Sequence, residues 1–176
     1  MASRTIESFV GATVMPEDTL RRTGADLVYS GEGERALSLL MDGAAPEDIP
    51  GSCVPRGEGC SRTPGLLLVE DLDDLPLPDR SIFDMDSYFS AWYSMDRVDP
   101  RLRGTSVMAT RGCPFSCSFC QPTLSEIFGK RMRKRSPEAI VDELEHLKER
   151  WGIDAFMFED STFIVDSDWV GEICRL

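Results

Sequence analysis

The sequence predicts an α/β fold, because two strand patterns flank a strongly marked helix in its second half. Thr105-Ser106-Val107-Met108-Ala109 has the β-branched and apolar residues of a strand. Ser136-Pro137-Glu138 begins the helix with a capping serine, a proline at the first helical position and an acidic first turn. Ala155-Phe156-Met157-Phe158 is apolar throughout, as in a parallel strand buried on both faces. This strand–helix–strand order predicts parallel strands joined by a right-handed connection.

The first 43 residues show the same alternation. Pro16-Glu17-Asp18 starts a short helix that ends near Gly24. Asp26-Leu27-Val28-Tyr29 is typical of a buried strand. A second helix follows and ends at Gly43; its apolar side consists of Ala36, Leu37, Leu39, Leu40 and Met41.

The middle of the chain is rich in proline, glycine and acid. Residues 44–64 predict a connector with a loose hairpin that turns at Gly57-Glu58-Gly59. Residues 66–99 then hold nine acids and only two arginines, so this stretch has the composition of a linker. Pro76 and Pro78 keep the chain extended there and prevent it from joining a helix or a central strand.

Three cysteines follow the strand at 105–109 in a short loop with the spacing C-x-x-x-C-x-x-C: Cys113, Cys117 and Cys120. Thiolates are soft ligands, and close spacing in a loop with glycine and proline lets several of them reach one metal centre. A structural zinc site or an electron-transfer cluster usually takes four protein ligands. Three ligands therefore predict an iron–sulfur cluster with one open iron position, where a small molecule can bind.

Three cysteines in one loop are also compatible with a disulfide fragment, a zinc site lacking one ligand, or buried thiols. No apolar signal segment opens the sequence, so an oxidising compartment is not indicated. The single histidine, His146, falls inside the predicted helix and completes no zinc motif. A cluster is favoured over these alternatives.

Composition narrows the functional classes. The net charge of −12 disfavours nucleic acid as a partner, because phosphate binding needs a basic face. No apolar run approaches the roughly 20 residues of a membrane helix. Six cysteines without a secretory signal indicate a reducing cytoplasm. Cys53, Cys60 and Cys174 show no ligand spacing and are interpreted as ordinary thiols.

The cysteine loop, with Phe119 directly before the last cysteine, resembles that of the radical S-adenosylmethionine (SAM) enzymes. In that family the three thiolates hold a 4Fe–4S cluster, and SAM chelates the fourth iron. The reduced cluster cleaves SAM into methionine and a 5′-deoxyadenosyl radical. The resemblance implies that Cys113, Cys117 and Cys120 bind the cluster and that Phe119 lies against the adenine of SAM.

Two carboxylates follow the second strand of the predicted sheet. Because parallel strands end at one rim, Glu159 and Asp160 are expected on the side where the cysteine loop begins. In the family this strand end holds the amino group of SAM, and Glu159-Asp160-Ser161-Thr162-Phe163 resembles the acidic sequence found there. Asp160 is preferred over Glu159 for this contact. An acidic turn before the next helix is the structural alternative.

Residues 24–34 and the Leu-Pro-Leu-Pro segment at 75–78 are similar to the radical SAM branch that carries a cobalamin-binding domain. The resemblance implies a remnant of a Rossmann-like cobalamin-binding domain at 1–43, a linker at 44–103, and the first βα units of a partial TIM-like barrel at 104–176. The Asp-x-His-x-x-Gly loop of that domain is absent, so cobalamin is implied only for full-length relatives. The sequence thus resembles an internal piece of a longer enzyme.

The function that the resemblance implies is radical chemistry for methyl transfer or ring formation on a small molecule or lipid. Flavodoxin or ferredoxin would supply the electron. One alternative is an RNA-modifying methylthiotransferase relative, supported only by the basic run at 130–135; another is a non-catalytic fragment that keeps the cluster site. The sequence identifies neither a substrate nor a catalytic residue beyond the cofactor ligands.

Overall fold

The computed structural model describes residues 6–7, 10–96, 99, 101–120 and 123–176. It confirms a mixed α/β chain. The strands are β1 (Ile6–Glu7), β2 (Leu27–Tyr29), β3 (Ser52–Arg56), β4 (Gly59–Arg62), β5 (Gly104–Val107), β6 (Thr110–Arg111), β7 (Arg133–Lys134) and β8 (Ala155–Phe158). The helices are α1 (Val10–Val14), α2 (Pro16–Thr23), α3 (Gly33–Met41), α4 (Met85–Asp96), α5 (Thr123–Phe128), α6 (Pro137–Trp151) and α7 (Ser167–Ile173).

The chain forms two compact units, and each is built from two segments. The first unit contains residues 1–70 and 112–132, and the second contains residues 71–111 and 133–176. The segment predicted as a linker is therefore shared, with residues 44–70 in the first unit and 71–103 in the second. The cysteine loop belongs to the first unit, whereas the strands on either side of it, β6 and β7, belong to the second.

The first unit is built on a four-stranded sheet in the order β1-β2-β3-β4. Strands β1 and β2 are parallel, and β3 and β4 form the hairpin expected around residues 57–59. This hairpin is more than a connector, because β3 pairs antiparallel with β2 and extends the sheet. Apolar residues pack below the sheet in a cluster of Ala12, Leu20, Ala25, Val28 and Cys53.

The second unit contains the predicted strand–helix–strand segment. Strands β5 and β8 pair in parallel, and α6 connects β7 to β8. Ser136 caps α6 by accepting a hydrogen bond from the backbone N–H of Ala139 at 3.2 Å, and Gly152 ends the helix with φ 62°. Leu147 of α6 is fully buried in one apolar cluster with Val107 and Ile153. The predicted helix and the parallel pairing of the strands on either side of it are confirmed.

The prediction that β8 is buried on both faces is wrong. The side chain of Phe156 is 43% exposed, although Phe158 packs against the apolar clusters beneath α6 and α7. Full burial needs a packed layer on each face. Among the described residues, β8 pairs with β5 alone.

Candidate cofactor-binding site

The three predicted cluster ligands lie in a loop without regular secondary structure between β6 and α5. Cys113 is half-buried, whereas Cys117 and Cys120 are exposed. The backbone N–H of Cys120 donates to the carbonyl of Cys117 at 3.1 Å, which makes a tight turn around Phe119. The Phe119 ring is 90% exposed. A large apolar ring at this exposure is available for contact with a ligand or another apolar surface.

The loop begins with a glycine that sequence reasoning did not single out. Gly112 has φ 86°, and a Cβ atom built there would lie 2.3 Å from the carbonyl oxygen of Arg131. Both the left-handed backbone and the close approach require glycine. The backbone at the start of the loop therefore lies directly against the carbonyl of Arg131, which follows α5.

Replacement of this glycine provides a first test. We expect Gly112→Ala to lower the free energy of unfolding by about 1–3 kcal/mol, because the left-handed conformation is strained for alanine and the methyl group meets a carbonyl. Urea denaturation measures the change. Gly171→Ala is the matched control, since that helical glycine has open space around its Cβ position and a φ outside the left-handed region. Equal stability of the two variants would contradict the structural role given to Gly112.

Asp160 is held by the backbone between β5 and the start of β6. Its carboxylate accepts hydrogen bonds from the backbone N–H of Ala109 at 3.1 Å and from the backbone N–H of Thr110. The hydroxyl of Thr110 also donates to it, at 2.7 Å. These donors belong to the residues three and four positions before Cys113 in the chain. Asp160 therefore fixes the backbone that leads into the cysteine loop.

Glu159 has different surroundings. Its side chain is exposed and accepts a hydrogen bond from the hydroxyl of Ser106 at 3.2 Å. It borders a cavity of about 300 Å³ within the second unit. The other residues that line this cavity are Leu72, Leu75, Pro78, Arg80, Ser106, Val107, Met108, Arg111, Arg135 and Glu143.

A buried charge cluster forms one wall of this cavity. Glu143 of α6 is 2% exposed and pairs with two guanidinium groups, those of Arg80 at 3.0 Å and of Arg135. The two arginine side chains are 14% and 13% exposed. They also donate to backbone carbonyls, Arg80 to Ser106 at 3.4 Å and Arg135 to Ala139 at 2.9 Å. The cluster connects the 80–82 turn, β5 and α6.

Basic residues of the run at 130–135 form ion pairs within their own unit. Arg131 pairs with Glu70, Lys134 with Asp166, and Arg135 with Glu143, while Arg133 is 5% exposed. The ammonium of Lys134 lowers the pKa of Asp166 through a hydrogen bond. These ion pairs explain the run without a nucleic-acid partner.

Residues 107–176 match the sequence profile of the radical SAM superfamily. The matched region begins in β5 and includes the three loop cysteines, Glu159 and Asp160. Residues 107–176 belong to the radical SAM superfamily.

This radical SAM protein resembles methyltransferases over most of its length. It is 33% identical over 159 residues to an uncharacterised methyltransferase of Pyrococcus horikoshii, covering 88% of this chain and 32% of that protein. It is 29% identical over 191 residues to the cytidylyl-2-hydroxyethylphosphonate methyltransferase of Streptomyces wedmorensis, covering 93% and 35% of the two chains. The chain thus spans about a third of the length of these two curated relatives.

Its fold matches that of a solved radical SAM methyltransferase, TsrM from Kitasatospora setae, with a TM-score of 0.70 and 20% identity. The alignment covers 98% of this chain and 32% of TsrM, whose structure contains tryptophan and a SAM analogue. A second structure of TsrM contains cobalamin and a 4Fe–4S cluster. The similarity to TsrM shows the fold, and the radical SAM assignment made from the cysteine loop is confirmed by the profile match over residues 107–176.

The loop of the radical SAM protein suits the cofactors that its family implies, a 4Fe–4S cluster and SAM. It offers three soft thiol donors, and none of them is in a disulfide. In the part of the chain that the structure describes, no three His, Cys, Asp or Glu side chains are gathered as the ligands of one metal ion. The loop therefore fits the cluster by the chemical type and the number of its donor atoms.

The structure separates the predicted site residues between the two units. The three cysteines and Phe119 belong to the first unit, and Glu159 and Asp160 to the second.

None of the helices in the described part of the chain has the length and apolar character that a membrane span requires.

Proposed function

We propose that this radical SAM protein binds a 4Fe–4S cluster through Cys113, Cys117 and Cys120 and uses SAM for methyl transfer to a small molecule or lipid. The observation that carries the proposal is the three-cysteine loop, which follows the parallel strand β5 and the short strand β6 inside the region that matches the superfamily. The methyltransferase relatives favour methyl transfer over ring formation. When bound, the cluster and SAM supply reductive cleavage of the sulfonium and a 5′-deoxyadenosyl radical.

The exposed ring of Phe119 supports a role in SAM binding. The Phe119 ring is 90% exposed, so it gives up few protein contacts when it stacks on a planar base. Stacking also removes apolar surface from water, which is favourable. We therefore assign Phe119 to the adenine, as the family resemblance implies.

The two carboxylates divide into two roles. Three hydrogen bonds to Ala109 and Thr110 already engage the carboxylate of Asp160. Glu159 is exposed and its side chain borders the cavity, so its charge is available to the ammonium group of SAM. We assign Glu159 to the methionine end of SAM and Asp160 to positioning the backbone before the cysteine loop. This reverses the order of preference that the sequence suggests.

Anaerobic reconstitution of the purified chain with iron and sulfide tests the function. We expect about four irons per chain, because three thiolates and one open position are the ligand set of a cubane cluster. We also expect a visible spectrum that shifts when SAM is added, and 5′-deoxyadenosine or S-adenosylhomocysteine after reduction. A full cluster that neither responds to SAM nor supports its cleavage would favour the non-catalytic alternative.

The division of roles between the carboxylates gives a second prediction. Asp160→Asn should accelerate hydrogen exchange at the amides of Ala109 and Thr110, because hydrogen bonds to a charged acceptor contribute about 1.5–3 kcal/mol. Glu159→Gln should leave that exchange unchanged and weaken SAM binding about tenfold or more, through loss of a charged partner for the ammonium. Exchange by NMR and SAM titration of the reconstituted chain measure the two effects. The opposite pattern would return the ammonium contact to Asp160.

The remaining assignments follow from the same relatives. We propose that residues 1–43 derive from a Rossmann-like cobalamin-binding domain and residues 104–176 from the start of a TIM-like barrel, joined by the segment 44–103. Flavodoxin or ferredoxin would supply the electron. Six cysteines outside disulfides favour the cytoplasm. Cobalamin is proposed for the full-length enzyme only.

A further inference from the structure

Cys53 and Cys60 lie on one face of the β3–β4 hairpin in the first unit. Cys53 is opposite Arg62, and Cys60 is opposite Pro55. Because side chains alternate between the faces of a strand, the two cysteines share a face and stand diagonally across the pair of strands. Their sulfur atoms are 2.8 Å apart.

The two thiols differ in their access to solvent. Cys53 is 0% exposed and packs in the apolar cluster with Ala12, Leu20 and Val28. Cys60 is half-buried and covers the edge of that cluster. A small-molecule reagent can therefore reach Cys60, whereas Cys53 is enclosed by its partner thiol and the apolar cluster.

We propose that Cys53 and Cys60 are a reversible dithiol–disulfide pair, a covalent modification site independent of the cluster loop. The oxidant is a low-molecular-weight disulfide of the glutathione type. A disulfide has an S–S bond of about 2.05 Å, so the sulfurs need to approach by only about 0.8 Å from their present separation. A passive apolar contact between two thiols is the alternative.

The reaction proceeds by two thiol–disulfide exchanges. The thiolate of Cys60 attacks one sulfur of the small disulfide, forms a mixed disulfide and releases one small thiolate. The thiolate of Cys53 then attacks the sulfur of Cys60, and the second small thiolate leaves. The two protons lost by the cysteines are taken up by the two released thiolates, and the small disulfide gains the two electrons.

Burial makes the second exchange the slow one. Removal from water, followed by the hydrogen bond with Cys60, raises the pKa of Cys53 to about 12. The thiolate of Cys53 is therefore scarce at neutral pH, and its fraction rises about tenfold per pH unit below that pKa. We expect the closing step to accelerate by the same factor.

The sequence provides a direct measurement, because trypsin cuts after Arg35, Arg56 and Arg62 and so separates the two cysteines. They fall in the peptides 36–56 and 57–62, which stay together only if a disulfide joins them. Wild-type chain equilibrated with glutathione buffers, alkylated and digested, should yield the linked peptide in a proportion that follows the glutathione ratio. Dithiothreitol should abolish it.

Single substitutions define the order of the two steps. Cys53→Ser should trap the glutathione mixed disulfide on Cys60, and Cys60→Ser should leave Cys53 unmodified in the folded chain. Cys174→Ser, which replaces an exposed cysteine elsewhere, should leave the linked peptide unchanged. Glutathione retained on wild-type Cys60 at equilibrium, or absence of the linked peptide at every ratio, would overturn the proposal. The wild-type measurement needs no variant to fold.

Discussion

Cys117→Ala is expected to abolish stable cluster binding: iron should fall from about four per chain to less than one after anaerobic reconstitution. A cubane cluster held by three thiolates and a small-molecule chelate loses one of its three protein ligands. The visible absorption and its response to SAM should disappear together. Iron and sulfide analysis with the absorption spectrum measures the change.

Cys174→Ala is the matched control for this experiment. Cys174 is also an exposed cysteine, but it lies at the end of α7 and outside the C-x-x-x-C-x-x-C loop. We expect the control to retain the full cluster and its response to SAM. A Cys117→Ala chain with an unchanged iron content, or zinc instead of iron in the wild-type loop, would refute the proposed function.

Glu143→Leu is expected to destabilise the second unit by about 3–5 kcal/mol, because it leaves two buried guanidinium groups without their counter-charge. Arg80 and Arg135 are each less than 15% exposed, so water cannot replace the carboxylate at low cost. The loss should appear as a lower free energy of unfolding in urea. Glu145→Leu on the exposed side of the same helix should change stability by less than about 0.5 kcal/mol.

A compensating variant separates the loss of charge pairing from damage to α6. Adding Arg80→Met and Arg135→Met to Glu143→Leu removes the unpaired charges and keeps similar side-chain volume. We expect the triple variant to recover much of the lost stability, as apolar replacements of buried ion clusters often do. If Glu143→Leu is as stable as Glu145→Leu, the cluster has no structural role.

Local sequence signals were sufficient where one short segment carries all the information. Helix α6 has its capping serine, its first-turn proline and its terminal glycine within the helix or directly beside it, so both ends could be predicted. The hairpin at 57–59 was predicted for the same reason. The three cysteines stand within eight residues, and their spacing alone indicated the cofactor.

Features that depend on distant partners were missed or only partly assigned. Helix α4 was not predicted, because residues 66–99 have the composition of an acidic linker. The aromatic residues of this stretch suggest packing, and Phe89 is indeed buried, but its partners Val107 and Leu147 come from later in the chain. The requirement for glycine at 112 comes from the carbonyl of Arg131, nineteen positions along the chain. The contacts of Asp160 come from Ala109 and Thr110, about fifty positions earlier.

The sequence by itself determined the family, the thiol donors and the ends of the best-marked elements, because these depend on residue type and short spacing. The tertiary structure decided which carboxylate is exposed and which is held by backbone N–H groups, that the basic run forms internal ion pairs, and that the sulfur atoms of Cys53 and Cys60 are in contact. Each of these depends on chain segments that only folding brings together, and a one-dimensional pattern does not contain those distances.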